Sequence, residues 1–227
     1  MKFITISKVL LIISMPLLIL LLSADFAVFD NSFYQEKFSE YGVQKDVPQA
    51  ALLHERVMSF LKGATNELPP DFNEREKQHL FDVRKIANAS AILLYTLLAL
   101  FVILLIACAF MLKINHLITR FIGKVLLFGG MLAVILAAAL LFFINSDFSD
   151  SFESFHSMLF LKGTYTFDPA KEIIVRLYPE QLFMDLGIRI LEWVIIISAL
   201  IISFGGLLLL QSKKDLNRKA HTSSKKE

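Results

Sequence analysis

Two polar side chains at helical spacing, His79 and Asp82, form the first candidate for chemistry in this sequence. On a helix, residues three apart lie on the same face. A carboxylate placed there can orient an imidazole or raise its basicity, as a general base requires. A lone histidine near a membrane interface is also often structural, so both interpretations are kept.

A second histidine, His156, lies in an aromatic stretch of the chain. Eight phenylalanines and two tyrosines fall within the 42 residues from Phe142 to Phe183, about twice the aromatic share of the whole chain, which is 12%. This density fits a packed core and equally a ring-lined pocket. We expect His79 and His156 to face one site, whereas His54, without aromatic or acidic neighbours at helical spacing, is the weaker candidate.

Other catalytic patterns have less support. A metal site built from His79, His156 and a carboxylate is conceivable, but there is no H-E-x-x-H ligand pair. The single cysteine, Cys108, excludes a disulfide framework, and no G-x-S-x-G nucleophile elbow occurs. The net charge of +2 is close to neutral and does not indicate binding to nucleic acid. We therefore expect no metal, no cofactor and no nucleic-acid partner.

Hydropathy determines the elements that must position these histidines. The chain is 56% hydrophobic and 19% charged, with a mean hydropathy of +0.60, which is too apolar for an ordinary soluble domain. Four segments reach the length of about 20 apolar residues that a transmembrane helix needs. They are residues 3–23, 86–112, 125–146 and 190–211. The first could also be a signal peptide, but its removal would leave three spans with termini on opposite faces, so we interpret it as a retained helix.

Basic residues predict the orientation of these spans. The N-terminal residues, the 113–124 loop and the 212–227 tail together carry eleven Lys and Arg against two acids, whereas the rest of the chain carries 12 basic and 19 acidic residues. By the positive-inside rule, both termini are cytoplasmic. The tail either sets this topology or binds anionic membrane lipid. The predicted fold class is an all-α integral membrane protein of a bacterial-type plasma membrane, with four transmembrane helices and a small, mostly helical extracellular cap formed by residues 24–85 and 147–189.

Start and stop signals divide the cap into elements. The predicted elements are an amphipathic helix from Pro48 to Gly63, a helix capped by Asn73 that enters the second span, an aromatic helix over 151–161, an extended stretch over 163–167, a helix over 170–177 started by Asp168 and Pro169, and a restart at Glu180 that becomes the fourth span.

Four blocks of this chain resemble the lipoprotein intramolecular transacylase (Lit) family. They are EKQHLFDV (residues 76–83), FESFHSMLF (152–160), YTFDP (165–169) and LYPEQLF (177–183). The paired patterns H-x-x-D-V and F-x-x-F-H-x-x-x-F, in this order, carry the resemblance, which extends over essentially the whole chain. One departure is Tyr165, where the family pattern leads us to expect tryptophan.

The resemblance implies an enzyme that acts on diacylglyceryl-modified lipoproteins of Gram-positive bacteria. It would move the sn-2 acyl chain to the α-amino group of the lipid-bearing N-terminal cysteine, giving a lyso-form lipoprotein, without cofactor or obligate protein partner. The catalytic histidines of the family correspond to His79 and His156. We expect a supporting substrate pocket formed by Asp82, Phe81, Phe152, Phe155, Phe160, Tyr165, Tyr178 and Glu180.

We interpret the roles of the two histidines as hypotheses that rest on this resemblance. His79, helped by Asp82, would be the base, and His156 the oxyanion or acid partner. Two other classes of function stay open. One is a non-enzymatic accessory or transport subunit, although no span carries a charge in its middle. The other is a hydrolytic or intermolecular acyltransferase that uses the same histidines.

Overall fold

The computed structural model describes residues 2–161 and 163–223, with side chains as far as residue 217. This part of the chain contains helices and connecting segments but no strand. The helices are α1 (Lys2–Val28), α2 (Asn31–Glu40), α3 (Val43–Asp46), α4 (Ala50–Leu61), α5 (Glu74–Leu112), α6 (Asn115–Ser146), α7 (Phe148–Leu159), α8 (Ile174–Leu177) and α9 (Glu180–Ser223).

Four helices, α1, α5, α6 and α9, are long and apolar enough to cross a membrane. Each contains one of the four segments expected from hydropathy, so the all-helical membrane fold is confirmed. Three of them extend beyond the predicted span into the region expected to form the cap. α5, for example, runs without interruption from Glu74 to Leu112, which fixes the direction of every side chain in its first turns relative to the span.

The chain divides into two compact units, and the first comprises residues 2–23, 93–139 and 191–223. Glycines on α6 permit close helix packing in this unit. A Cβ atom added at Gly129 would lie 2.6 Å from the sulfur of Met15, and one added at Gly130 would lie 2.8 Å from Ile202. Small residues let helix backbones approach closely where the hydrophobic effect contributes little, which is how transmembrane bundles pack.

The second unit comprises residues 24–92 and 140–190 and contains both candidate histidines. Its core is aromatic and aliphatic, and Phe38, Phe60 and Phe72 are fully buried there. The predicted amphipathic helix is present as α4 and ends before Gly63, whose φ of +77° suits a residue without a Cβ. The predicted cap of α5 is also present, because the side-chain oxygen of Asn73 accepts hydrogen bonds from the backbone N–H groups of residues 75 and 76.

One predicted helix, over residues 170–177, is wrong in its first half. Residues 170–173 form turns and bends, and only α8, Ile174–Leu177, is helical. In a helix, the N–H of Ile174 would bond to the carbonyl of residue 170. Instead it donates to the Glu76 carboxylate at 2.8 Å. A side-chain acceptor thus takes a donor that the predicted helix would have used.

α7 follows α6 after a single residue, Asp147, whose carboxylate accepts from the N–H of Asp150 and caps the new helix. Its polar side chains lie on one side and its apolar ones on the other. Part of the apolar side is uncovered within the protein, since Met158 is 82% exposed and Phe155 is 57% exposed. Phe142 and Phe143, near the end of α6, are similarly exposed. Both α7 and the end of α6 therefore present apolar side chains that the protein leaves uncovered.

Candidate active site

Helices α5 and α7 bring His79 and His156 together. Their ring centroids are 6.5 Å apart and their planes differ by 19°. Phe160 lies beside both, with its centroid 4.7 Å from His79 and 5.6 Å from His156. Two stretches of chain separated by more than 70 positions therefore contribute to one site. The two imidazoles are near enough for one reacting group to contact both of them.

Aromatic rings surround this histidine pair. Their centroids lie between 4.1 and 5.6 Å from that of His156 and belong to Phe152, Phe155, Phe160 and Tyr165. Phe167 approaches His79 edge-on at 5.3 Å. The tyrosine hydroxyl donates to Glu153 at 2.8 Å, which fixes that ring. Such a wall excludes water from one side of the histidines and offers apolar contacts to an acyl chain.

The tautomer of His156 is defined by its own helix. Its Nδ1 lies 2.8 Å from the carbonyl oxygen of Phe152, one turn earlier. A carbonyl can only accept, so Nδ1 carries the hydrogen when the ring is neutral. The Nε2 atom is then the one with a lone pair, in the arrangement that a general base needs.

His79 has a different environment. It is buried, and its Nδ1 atom has no hydrogen-bond partner in the part of the chain that the structure describes. Burial, reinforced by the nearby His156 and opposed by Asp82, lowers the pKa of His79 to about 4. The ring is therefore neutral near pH 7 and carries one N–H that can donate to a developing negative charge.

Several expected pocket residues have other partners. The carboxylate of Asp82 pairs with Lys85 at 2.8 Å and accepts from Gln78, so it does not orient the His79 ring by a direct bond. Lys85, a cation three residues away on the same helix, pairs with the carboxylate. Phe81 packs edge-on against Phe60. Glu180, at the start of α9, accepts from the Ser149 hydroxyl at 2.6 Å and so joins the first turns of α7 and α9.

A second buried cluster lies behind the ring wall and was not expected from the sequence. His54, at 0% exposure, shares a 3.0 Å hydrogen bond through Nδ1 with the Tyr178 hydroxyl and stacks on Tyr34 at 4.1 Å. Burial raises the pKa of Tyr178, which keeps its hydroxyl protonated. Phe183 connects this cluster to the site, 6.4 Å from Tyr178 and 5.4 Å from Phe152. Tyr178, predicted as a pocket residue, thus supports the wall from behind.

We expect the buried His54 to make the protein less stable in mild acid. Burial, with a smaller contribution from Lys62, lowers its pKa to about 4. The unfolded ring, with a pKa near 6.5, binds a proton first, so stability is complete above about pH 6.5 and falls as the pH approaches 4. At pH 5 the loss is on the order of 2 kcal/mol for each such histidine. His79 contributes in the same direction.

The measurement is the thermal unfolding temperature in detergent at pH 7.5 and pH 5 for the native protein and His54→Phe. The substitution should remove about half of the acid-induced drop, because His79 remains. A variant that keeps the full drop would show that His54 is not responsible.

No group of three or more His, Cys, Asp or Glu side chains close enough to hold a metal occurs within residues 2–161 and 163–223.

The fold and the site define an integral membrane protein in which two facing imidazoles lie among aromatic rings, an arrangement suited to proton transfer. The family model for the lipoprotein intramolecular transacylase Lit matches residues 9–183, most of the chain, and the chain belongs to that family. It is accordingly an acyltransferase that moves an acyl group within a lipoprotein.

Solved structures agree with this fold. The in meso structure of the membrane-integral Lit from Bacillus cereus matches with a TM-score of 0.82 at 22% identity, covering 94% of this chain and 99% of that chain. Two further structures of the Bacillus cereus protein match with a TM-score of 0.78, and each carries a substituted histidine, arginine in one and alanine in the other. None of the curated proteins compared with the chain matches it.

Proposed function

We propose that this transacylase moves the sn-2 acyl chain of a diacylglyceryl lipoprotein to the free α-amino group of its N-terminal cysteine, with His156 as general base and His79 as hydrogen-bond donor. The observation that supports these roles most directly is the pair of rings 6.5 Å apart, one of them with its tautomer set by the Phe152 carbonyl. The product is an N-acylated lipoprotein that keeps one O-linked chain.

The reaction runs through a single tetrahedral intermediate. The neutral amine attacks the sn-2 ester carbonyl, a C–N bond forms, and Nε2 of His156 takes the proton that the amine loses. The carbonyl oxygen becomes negative and accepts a hydrogen bond from the neutral His79 ring. The bond to the glyceryl oxygen then breaks, and that oxygen receives the proton held by His156. The amide and a free hydroxyl result, and neither a further reactant nor an enzyme nucleophile is needed.

This assignment reverses the roles expected from the sequence. His79 was expected to be the base because Asp82 lies three residues away, but that carboxylate pairs with Lys85. Burial also lowers the pKa of His79 to about 4, which weakens it as a base and favours it as a neutral donor. His156 has the complementary arrangement, with one nitrogen held by a carbonyl and the other available.

Positioning contributes the rest of the rate enhancement. Amine and ester are in the same substrate, so the enzyme must restrict a flexible glyceryl arm, an effect that can be worth about 7–11 kcal/mol at ideal geometry. The rings of Phe152, Phe160 and Tyr165 around His156 form a surface against which that arm can fold. The same rings keep water from the ester, so that transfer is favoured over hydrolysis.

The test uses purified protein and a synthetic diacylglyceryl lipopeptide with an isotopically labelled sn-2 chain, in vesicles whose phospholipids carry a different label. Mass spectrometry should show the first label on the cysteine nitrogen of the same peptide. Free labelled fatty acid would instead indicate a hydrolase. Transfer of the vesicle label would indicate an intermolecular acyltransferase, and an unchanged peptide would indicate an accessory subunit.

We infer further that the site faces the outer side of a bacterial plasma membrane, with both termini in the cytoplasm. The support is the charge distribution, eleven basic residues against two acids on the proposed inner side. In a Cys108→Ser background, Glu67→Cys should react with an impermeant maleimide in intact cells, whereas Asn115→Cys should react only after permeabilisation. The opposite pattern would invert the topology.

A further inference from the structure

Residues 163–174, here called the strap, cross the site with little regular structure of their own. The strap carries two rings of the wall: Tyr165, 5.5 Å from His156, and Phe167, 5.3 Å from His79. Up to residue 173 its backbone forms turns, bends and irregular stretches. The positions of both rings therefore depend on contacts from outside the strap.

Arg75 contacts the strap at several points, in addition to the hydrogen bond from the Tyr165 hydroxyl to Glu153. Its Nη2 atom donates to the backbone carbonyls of Gly163, at 3.3 Å, and of Thr166. Its Nη1 atom donates to the Glu172 carboxylate at 3.1 Å. The guanidinium also lies over the Phe167 ring, 5.0 Å from its centroid. The side chain of Arg75 thus contacts two backbone carbonyls, one carboxylate and one aromatic ring of the strap.

Arg75 and His79 are four residues apart on α5, so they lie on the same helical face. Phe167 contacts both of them, since it packs under the guanidinium and against the imidazole. The side chain that fixes the strap is thereby connected to a candidate catalytic ring through a single aromatic residue.

The end of the strap has a separate anchor. The buried Glu76 carboxylate accepts from the N–H of Ile174 at 2.8 Å through one oxygen and from the N–H of Asn73 at 2.7 Å through the other. Because this anchor does not involve Arg75, loss of the guanidinium should loosen residues 163–168 while α5 and α8 stay in place.

We propose that Arg75 is a positioning residue for the transacylation, holding the strap so that Tyr165 and Phe167 complete the ring wall around the two histidines. The inference rests on the proposed function, because the wall matters for fixing the glyceryl arm and excluding water. Arginine suits this role better than lysine, since its planar fork can donate to several acceptors while its face stacks on a ring. Lysine offers a point charge without that face.

Arg84 offers a matched control on the same helix. It donates to the carbonyl of Thr65 at 3.3 Å and to the side chain of Asn66 at 3.0 Å, and it lies 4.7 Å from the Phe60 ring centroid. Its contacts are of the same kind as those of Arg75, but they hold a loop that carries none of the rings around the histidines.

The experiment compares Arg75→Ala, Arg75→Lys and Arg84→Ala in the lipopeptide assay. We expect Arg75→Ala to lower kcat by roughly 10–100-fold, as for a misplaced reacting group, and to raise the fraction of sn-2 chain released as free fatty acid. Arg75→Lys should lie between this variant and the native enzyme, and Arg84→Ala should match the native enzyme in both respects. Native kcat and product ratio in Arg75→Ala would overturn the inference.

Hydrogen exchange of the full-length protein separates this inference from the proposed function. Arg75→Ala should exchange faster than the native protein in residues 163–168 and equally in the first turns of α5. If the native protein makes no N-acylated product, the proposed function fails, while the exchange data still test the anchoring. Unchanged exchange in residues 163–168 would reject Arg75 as the anchor.

Discussion

Replacing His156 with glutamine should lower the transacylation rate by roughly 10²–10⁴-fold, the usual contribution of a positioned general base. Glutamine retains an N–H near the site but has no nitrogen lone pair that can accept a proton. The attacking amine then has to lose its proton to water, which the aromatic rings hinder. The measurement is a single-turnover rate of N-acylated peptide formation, followed by mass spectrometry.

His116→Gln is the matched control, because it makes the same substitution in the first turn of α6, which belongs to the compact unit that contains neither His79 nor His156. It should retain the native rate. A His156→Gln enzyme within tenfold of the native rate would show that His156 Nε2 does not receive the proton.

Replacing His79 should also lower kcat, but the size of the loss should depend on whether the new side chain carries an N–H group. We expect His79→Ala to lower kcat by roughly 10²–10³-fold, as removal of an oxyanion donor does. His79→Gln, which keeps an N–H donor, should recover part of that loss. An N–H group stabilises the negative oxygen whether it belongs to a ring or to an amide, whereas a base cannot be replaced in this way.

The pH dependence provides a second measurement of the same role. Since the pKa of His79 is lowered to about 4, its ring stays neutral as the pH falls from 8 to 5. His79→Gln should therefore change the height of the pH–rate profile but not the position of its acid limb. If His79 were the base, His79→Gln would be as inactive as His79→Ala, and the assignment made for the two rings would have to be exchanged.

Much of this architecture could be predicted because its causes are local in sequence. Continuous apolar runs define the four spans as helices, because a single segment in lipid can satisfy its backbone hydrogen bonds within itself only as a helix. Asn73 before a polar turn predicted where α5 begins, and the unbroken helix then placed His79 a fixed distance before the second span. Asp30 carries a similar signal for α2, accepting from the N–H groups of Ser32 and Phe33.

The remaining features depend on contacts between distant residues. The bond between His54 and Tyr178 joins residues 124 positions apart, and the bond from Ile174 to Glu76 joins residues 98 apart. Neither spacing leaves a pattern in the sequence. His79 and Lys85 are both three residues from Asp82 on the same helix, so spacing alone does not determine which of them the carboxylate contacts. The side-chain rotamers determine it, and the carboxylate pairs with Lys85. For this reason we propose roles for the two histidines that are opposite to those expected from the sequence.

The exposed apolar side of α7 has a consequence for how substrate arrives. Met158 and Phe155 are exposed apolar side chains on the helix that bears His156. A lipoprotein already has its acyl chains in the leaflet, so it can reach the enzyme by lateral diffusion without transferring a chain through water. Encounter is then a two-dimensional search, and turnover in vesicles should scale with the mole fraction of substrate among the lipids, not with its concentration in the bulk volume.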